Sequence, residues 1–153
     1  MNPKQKAIIV DLDGTLADCE HRRHLIKEKG WEAFYEKMGD DTVNIWCGIL
    51  VDCVCANEVD VILCTGRPER YRKTTEFWLR FHGIFYDLLL MRPDTLPNGK
   101  PDHREDFMVK EEIYKTHIEP HYNVLFCVDD RKQVVDLWRR LGLTCLQCSE
   151  GNF

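Results

Sequence analysis

The sequence is poor in the features that would set it apart from ordinary globular proteins. No apolar run approaches the roughly 18 residues a membrane-spanning helix needs: Asp52 interrupts the longest candidate, and Asp11 ends the N-terminal run Ala7-Ile8-Ile9-Val10. The opening MNPKQK carries neither the apolar core nor the cleavage site of a secretory leader. Repeats, low-complexity tracts and linkers are absent, and there are only 6 prolines and 9 glycines in 153 residues. Basic residues are too few for a nucleic-acid footprint over the whole surface, since 21 Lys and Arg against 26 Asp and Glu leave a net charge of −5. No G-x-x-x-x-G-K-[ST] occurs, so no ATP-dependent kinase activity is expected of this chain. These absences predict one domain over residues 1–153, long enough to fold without disulfides or a structural metal, cytoplasmic and away from membranes.

Cysteine, by contrast, is plentiful. Eight residues without an export signal imply a reducing compartment and free thiols. Cys53-x-Cys55 and Cys145-x-x-Cys148 raise the question of zinc, but the second pair lies in an alternating segment without turn residues between the sulfurs. Small buried hydrophobes are the expected role.

What remains is an alternation of strand and helix. Continuous apolar runs at 7–12, 59–64, 86–91 and 124–128 suit strands of a parallel sheet covered on both faces, and the alternating segment 144–148 supplies a fifth strand. Helical spacing fills 43–54, 69–82, 102–118 and 131–141, with Pro68 and Gly83 bounding the second of these and Pro120 closing the third. The pattern predicts an α/β fold, three layers and doubly wound, around a five-stranded parallel sheet. Residues 17–42 stand outside the alternation as a small helical insertion interrupted by Gly30, and residues 92–101, with three of the prolines, as a surface loop able to fold over a ligand.

Ligands of such sheets bind beyond the carboxyl ends of the strands. Three polar clusters fall there: Asp11-Leu12-Asp13-Gly14-Thr15, Thr65-Gly66-Arg67 and Asp129-Asp130. Carboxylates brought together repel and raise one another's pKa, so a cation must neutralise them. Magnesium suits hard oxygen ligands shared with a phosphate. An aspartate beside such a phosphate can attack phosphorus in line, and a second carboxylate two residues on can protonate the leaving oxygen and then activate water. Asp11 and Asp13 have that relationship, with Gly14 allowing a tight backbone turn.

DLDGT, TGR, a helical lysine and DD, in this order, resemble the four motifs of the haloacid dehalogenase (HAD) superfamily of aspartate-nucleophile phosphotransferases, and they span nearly the whole chain. The stretch from Asp106-Phe-Met-Val-Lys110 through Val128-Asp-Asp-Arg to Ser149-Glu-Gly-Asn-Phe153 is similar to the 3′-phosphatase domain of phage-type polynucleotide kinase-phosphatases. The resemblance implies Asp11 as nucleophile, Asp13 as general acid/base, Thr65 as a donor to a phosphoryl oxygen and Lys110 as charge compensator. It implies Mg2+ held by Asp11, the backbone carbonyl of Asp13, Asp129 and Asp130. Gly66, Arg67 at the mouth of the site, Arg22 in the insertion and Asp106, one turn before Lys110, would serve substrate binding.

The implied activity is a Mg2+-dependent phosphomonoesterase working through an aspartyl-phosphate, acting on the 3′-phosphate end of DNA or RNA or on a nucleotide, with a separate kinase or ligase partner. A small-molecule phosphatase and a phospho-aspartate signalling module are the alternatives; Asp13 disfavours the latter, because a positioned acid/base turns over the intermediate a switch must keep. Residues 67–80 hold five basic and two acidic side chains, and His21-Arg22-Arg23-His24 adds to the same side if the insertion folds over the strand ends, giving a local basic rim suited to a strand terminus. His21, His24 and His103 flank the site but are ordinarily surface or capping groups. The alternative for Thr65 is a helix cap, which would not exclude phosphate binding, and for Lys110 or Asp106 an ordinary solvated or ion-paired helix face. Trp46, Trp78 and Trp138, on amphipathic helices, are expected in the core. Trp31, Phe34 and Tyr35 are either the insertion's own anchor or a platform for a terminal base.

Overall fold

The computed structural model describes residues 3–151. Met1 and Asn2 of the N-terminal reading, and Asn152 and Phe153 of the C-terminal motif, lie outside the described residues. In chain order the elements are β1 (Gln5–Val10), β2 (Ala17–Asp18), α1 (His24–Lys29), α2 (Trp31–Glu36), β3 (Thr42–Val43), α3 (Ile45–Cys55), β4 (Asp60–Pro68), α4 (Arg72–Phe81), β5 (Leu88–Arg92), α5 (Asp106–Ile113), β6 (Tyr122–Asp129), α6 (Lys132–Arg140) and β7 (Cys145–Gln147). The five long-range strands form one parallel sheet in the order β5-β4-β1-β6-β7.

β1 is central, and its alternation assigns the layers. Ala7 and Ile9 face α5 and α6, meeting Val109, Ile113, Val134 and Trp138; Ile8 and Val10 face α3 and α4, meeting Cys47, Val51, Trp78 and Leu79. A strand covered on both sides has no polar face, so its sequence is a continuous apolar run. Cys64, Cys127 and Cys145 pack as small hydrophobes between β4, β6 and β7 and the α5/α6 layer.

Two expectations change, the start of α5 and the place of Trp46, while the helix reaches Ile118 as expected. α5 starts at Asp106, not at 102 or 103, because residues 102–105 remain extended; Asp102 instead accepts hydrogen bonds from the backbone and side chain of Arg104. The helix continues past Ile113 with wider π-type turns over Tyr114–Ile118. Trp46 is not a core residue: it is 45% exposed, beside the exposed Ile45 and Ile49 on the outer side of α3, whereas Trp78 and Trp138 are buried. Helical spacing shows which residues share a face and is silent on whether anything covers it.

The insertion rises on a narrow neck, where β2 and β3 pair antiparallel through Ala17 with Val43 and Asp18 with Thr42. Its short helices meet at Gly30 and enclose a small core of Cys19, Phe34, Tyr35 and Met38. This places the insertion above the carboxyl ends of β1 and β4, against Tyr71.

Candidate active site

The carboxyl ends of β1, β4 and β6 and the first turn of α5 converge on one buried cluster. Asp11 follows β1, Thr65-Gly66-Arg67 continue β4, Asp129 ends β6 with Asp130 after it, and Lys110 points inward from α5. Lys110 Nζ donates to Asp11 Oδ1 at 2.7 Å and Asp129 Oδ2 at 2.9 Å, and stands 3.4 Å from Asp106 Oδ2. Burial works against its charge, but the carboxylates of Asp106, Asp11 and Asp129 outweigh it and lift the ammonium well above its ordinary pKa. Thr15 Oγ1 donates to Asp11 Oδ2 at 3.3 Å, fixing that carboxylate from its other side.

Asp11, Asp129 and Asp130 offer oxygens within 4.8 Å of one another. Burial, only partly offset by Lys110, raises the pKa of Asp11 and Asp129, and burial together with Asp129 pushes Asp130 up to about 7. Both carboxylate oxygens of Asp130 are buried and accept no hydrogen bond from the described residues, and Arg23 stands 3.5 Å away. Gly14, at φ +85°, passes so close to this carboxylate that a Cβ there would collide with it. Three buried carboxylates facing one lysine, two of their oxygens without a donor among the described residues, are a fitting set for a hard divalent cation.

Asp13 lies apart from that trio. Arg22 Nη2 donates to its Oδ1 in a very short contact, and Arg67 holds it with two nitrogens, at 2.6 Å to Oδ1 and 3.0 Å to Oδ2. Burial raises its pKa, but Arg67 and then Arg22 outweigh burial and hold the carboxyl well below the usual range. The same two arginines reach Asp41, through Arg22 Nε at 2.7 Å and Arg67 Nη2 at 3.4 Å, and His21 Nε2 lies 2.8 Å from Asp41 Oδ1. Trp78 Nε1 donates to the Asp41 backbone oxygen at 2.8 Å, tying the end of the insertion to α4.

Arg22 and Arg67 are therefore buried, not on a rim, and Asp11 and Asp13 are buried as well. Thr65 caps no helix; its Oγ1 accepts from the Arg67 backbone N–H at 3.2 Å, which leaves the hydroxyl proton to be given elsewhere. Gly66 packs against the Asp106 carboxylate so closely that a Cβ would collide, while its carbonyl accepts from Arg92 Nε at 3.0 Å and Tyr35 Oη at 3.3 Å. Asp106 stands within 3.6 Å of Lys110, Arg92 and Arg131. Asp41, Arg92 and Arg131 were not singled out from the sequence. Arg131 directly follows the DD motif and so carried a positional signal; Asp41 carried none.

Above the cluster opens a cleft of about 850 Å³. Asp11, Asp13, Thr65 and Gly66 line it together with Trp31, Phe34 and Tyr35 of the insertion, and the 92–101 loop extends along it through Arg92 and Pro93 to His103 and Arg104. His103 thus borders the cleft, whereas His21 is engaged with Asp41.

The chain is similar to several known proteins. One is a protein of Autographa californica nuclear polyhedrosis virus, named "Putative bifunctional polynucleotide kinase/RNA ligase", 28% identical over 143 residues that make up 90% of this chain and 18% of that one. Among solved structures, a chain of the Pnkp1/Rnl/Hen1 RNA repair complex superposes with a TM-score of 0.85 at 36% identity, covering 100% of this chain and 45% of that one. The class C acid phosphatase of Bacillus anthracis, with tungstate bound, shares the fold at a TM-score of 0.68 and 16% identity over 99% of this chain and 69% of its own. The chain spans less than half the length of the first two relatives. Residues 5–153 match the family described as the polynucleotide kinase PNKP phosphatase domain. The chain belongs to that family of HAD phosphatase domains.

Proposed function

We propose that the domain removes the 3′-phosphate from a polynucleotide end, through an aspartyl-phosphate on Asp11, and that it does so as the end-healing step of nucleic-acid repair. The observation that carries the reading is the convergence of Asp11, Lys110 and Asp129 with Thr65 at the floor of an open cleft, in a chain whose relatives carry polynucleotide kinase and RNA-repair names. Kinase or ligase activity would come from another chain or segment.

Asp11, Asp129 and Asp130 would hold Mg2+, with the Asp13 backbone carbonyl. The ion would supply charge neutralisation on the phosphate and on the carboxylates around it. Lys110 orients Asp11 by holding Oδ1 and favours its ionised form against burial, while Thr15 holds Oδ2. Asp11 attacks phosphorus as the bond to the 3′-oxygen breaks, and the leaving oxygen takes a proton from Asp13. The Thr65 hydroxyl donates to a phosphoryl oxygen. Asp13 is held here as a carboxylate, the form that later accepts a proton from the attacking water. To act first as an acid it must be released from its arginines. An arriving phosphate does this by drawing Arg67 and Arg22 toward its own oxygens, after which burial raises the Asp13 pKa and Asp13 takes up, from solvent or from the phosphate monoanion, the proton that it gives to the leaving oxygen.

The test is phosphate release from a 3′-phosphorylated oligonucleotide, its 5′-phosphorylated counterpart and a 3′-mononucleotide, with and without Mg2+. A Mg2+-dependent preference for the 3′-phosphorylated oligonucleotide is expected. Activity on small esters alone would overturn the substrate and retain the chemistry.

A further inference from the structure

The two helical layers that cover the sheet present different outer surfaces. The α5/α6 layer turns paired charges to solvent: Lys115 meets Glu111 at 2.6 Å, Lys132 meets Asp136 at 2.7 Å and Arg140 reaches Glu111 at 3.8 Å. The α3/α4 layer turns apolar side chains outward. Ile45, Trp46 and Ile49 of α3, Phe77 and Phe81 of α4 and Phe85 just beyond it are 45–76% exposed, and these six outnumber the four large apolar side chains exposed over the rest of the described residues. Phe77 and Phe81 stack on one another at the surface, ring centroids 6.3 Å apart and planes 21° from parallel. The inner faces of the same helices are already occupied, with Cys47, Val51, Trp78 and Leu79 packed into the core. Helices that are apolar on both sides have one side for the sheet and another for a partner.

α3 and α4 lead into neighbouring strands of the parallel sheet, β4 and β5, from the same side, so they run in the same direction. Their C-terminal ends are level, because the Cys55 thiol at the end of α3 donates to the Phe85 carbonyl just after α4 at 3.9 Å. Counted back from those ends, Ile49 and Phe77 fall within a turn of the same height, as do Asp52 and Arg80. The charges on this layer identify the partner. Asp52 and Glu58 at the end of α3, and Arg80 at the end of α4, are exposed and form no ion pair among the described residues, Arg80 lying instead over the Phe77 ring at 6.0 Å. A surface that is apolar throughout, acidic on one helix and basic on the next, is complementary to itself after a half-turn. A two-fold axis running between and along the two helices lays α3 of one copy on α4 of the other, twice over. Laying each helix antiparallel on its own copy would set Arg80 opposite Arg72 and Lys73 instead.

We propose that the α3/α4 face is the contact surface of a homodimer, in which Phe77 and Phe81 of each protomer pack on Ile45 and Ile49 of its partner and Arg80 pairs with Asp52 and Glu58. The inference is independent of the activity proposed above. It also leaves that activity accessible, since none of the six apolar residues lines the cleft.

Sedimentation velocity over a concentration series tests this, with circular dichroism to establish that each variant is folded. Wild-type protein is expected to sediment as a dimer that dissociates on dilution. Phe77→Glu and Arg80→Glu are each expected to raise the dimer Kd by about tenfold or more, and Asp52→Arg added to Arg80→Glu to recover most of the loss, because the exchanged pair again carries opposite charges. The charge exchange decides the matter even where Phe77→Glu does not fold. Wild-type protein that stays monomeric at every concentration up to its solubility limit overturns the proposal and leaves the face to a different chain or segment. A dimer whose Kd neither single variant changes overturns it too, by placing the contact elsewhere, and single variants that weaken the dimer without recovery in the exchange overturn the laying of α3 on α4.

Discussion

Asp13 and Asp41 share two arginines, one from the insertion and one from β4, in a buried array of two positive and two negative groups. Removing one member leaves the others charged and unmatched, which for buried pairs costs about 3–5 kcal/mol. Asp41→Asn is therefore expected to lower the urea midpoint and, by loosening Arg22 and Arg67, to reduce kcat/KM on an oligonucleotide and on a generic aryl phosphate alike; a loss confined to one substrate would contradict this role. Arg22→Ala and Arg67→Ala should likewise fail on both substrates, because both side chains contact Asp13. Asp11→Asn is expected to abolish phosphate release, and substantial turnover in the purified variant would remove Asp11 as nucleophile. The motif residues could be read from the sequence because their order along successive strand ends is itself a signal. Asp41 could not, since a buried counter-ion is defined by what it touches, and nothing in Gly39-Asp40-Asp41 distinguishes one acid from its neighbour.

The strands were legible for a related reason. β1 and β4 are covered on both faces, so the chain writes them as unbroken apolar runs that end where the polar motifs begin. α3 was harder, because Ile45, Trp46 and Ile49 repeat at helical spacing without meeting another layer. Two substitutions separate these cases. Trp138→Ala, between α5, α6 and the sheet, should cost about 3–5 kcal/mol, and Trp46→Ala less than half of that, as measured by paired urea unfolding. Arg67 shows the limit within one strand: after TGR it reads as a mouth residue, but β4 stays extended through Pro68 and carries the side chain inward to Asp13.

For the whole molecule, the cluster of Asp11, Asp129 and Asp130 concentrates negative charge at the centre of the carboxyl edge. A divalent cation bound there is expected to stabilise the fold as well as to support turnover, by about 2.7 kcal/mol at a hundredfold excess over its Kd. Thermal unfolding in Mg2+ and in a chelator reads this directly, and an unchanged Tm would count against the three carboxylates as the site. The ribbon of β2 and β3 makes the insertion look interchangeable, joined to the sheet through only two short strands. Yet Arg22 comes from the insertion and Arg67 from the body, and both grip the carboxylate of Asp13, the proposed acid/base. A chimera carrying another enzyme's cap on this neck would inherit the sheet and lose half of the clasp on Asp13, so in this lineage cap and catalyst can be exchanged only together.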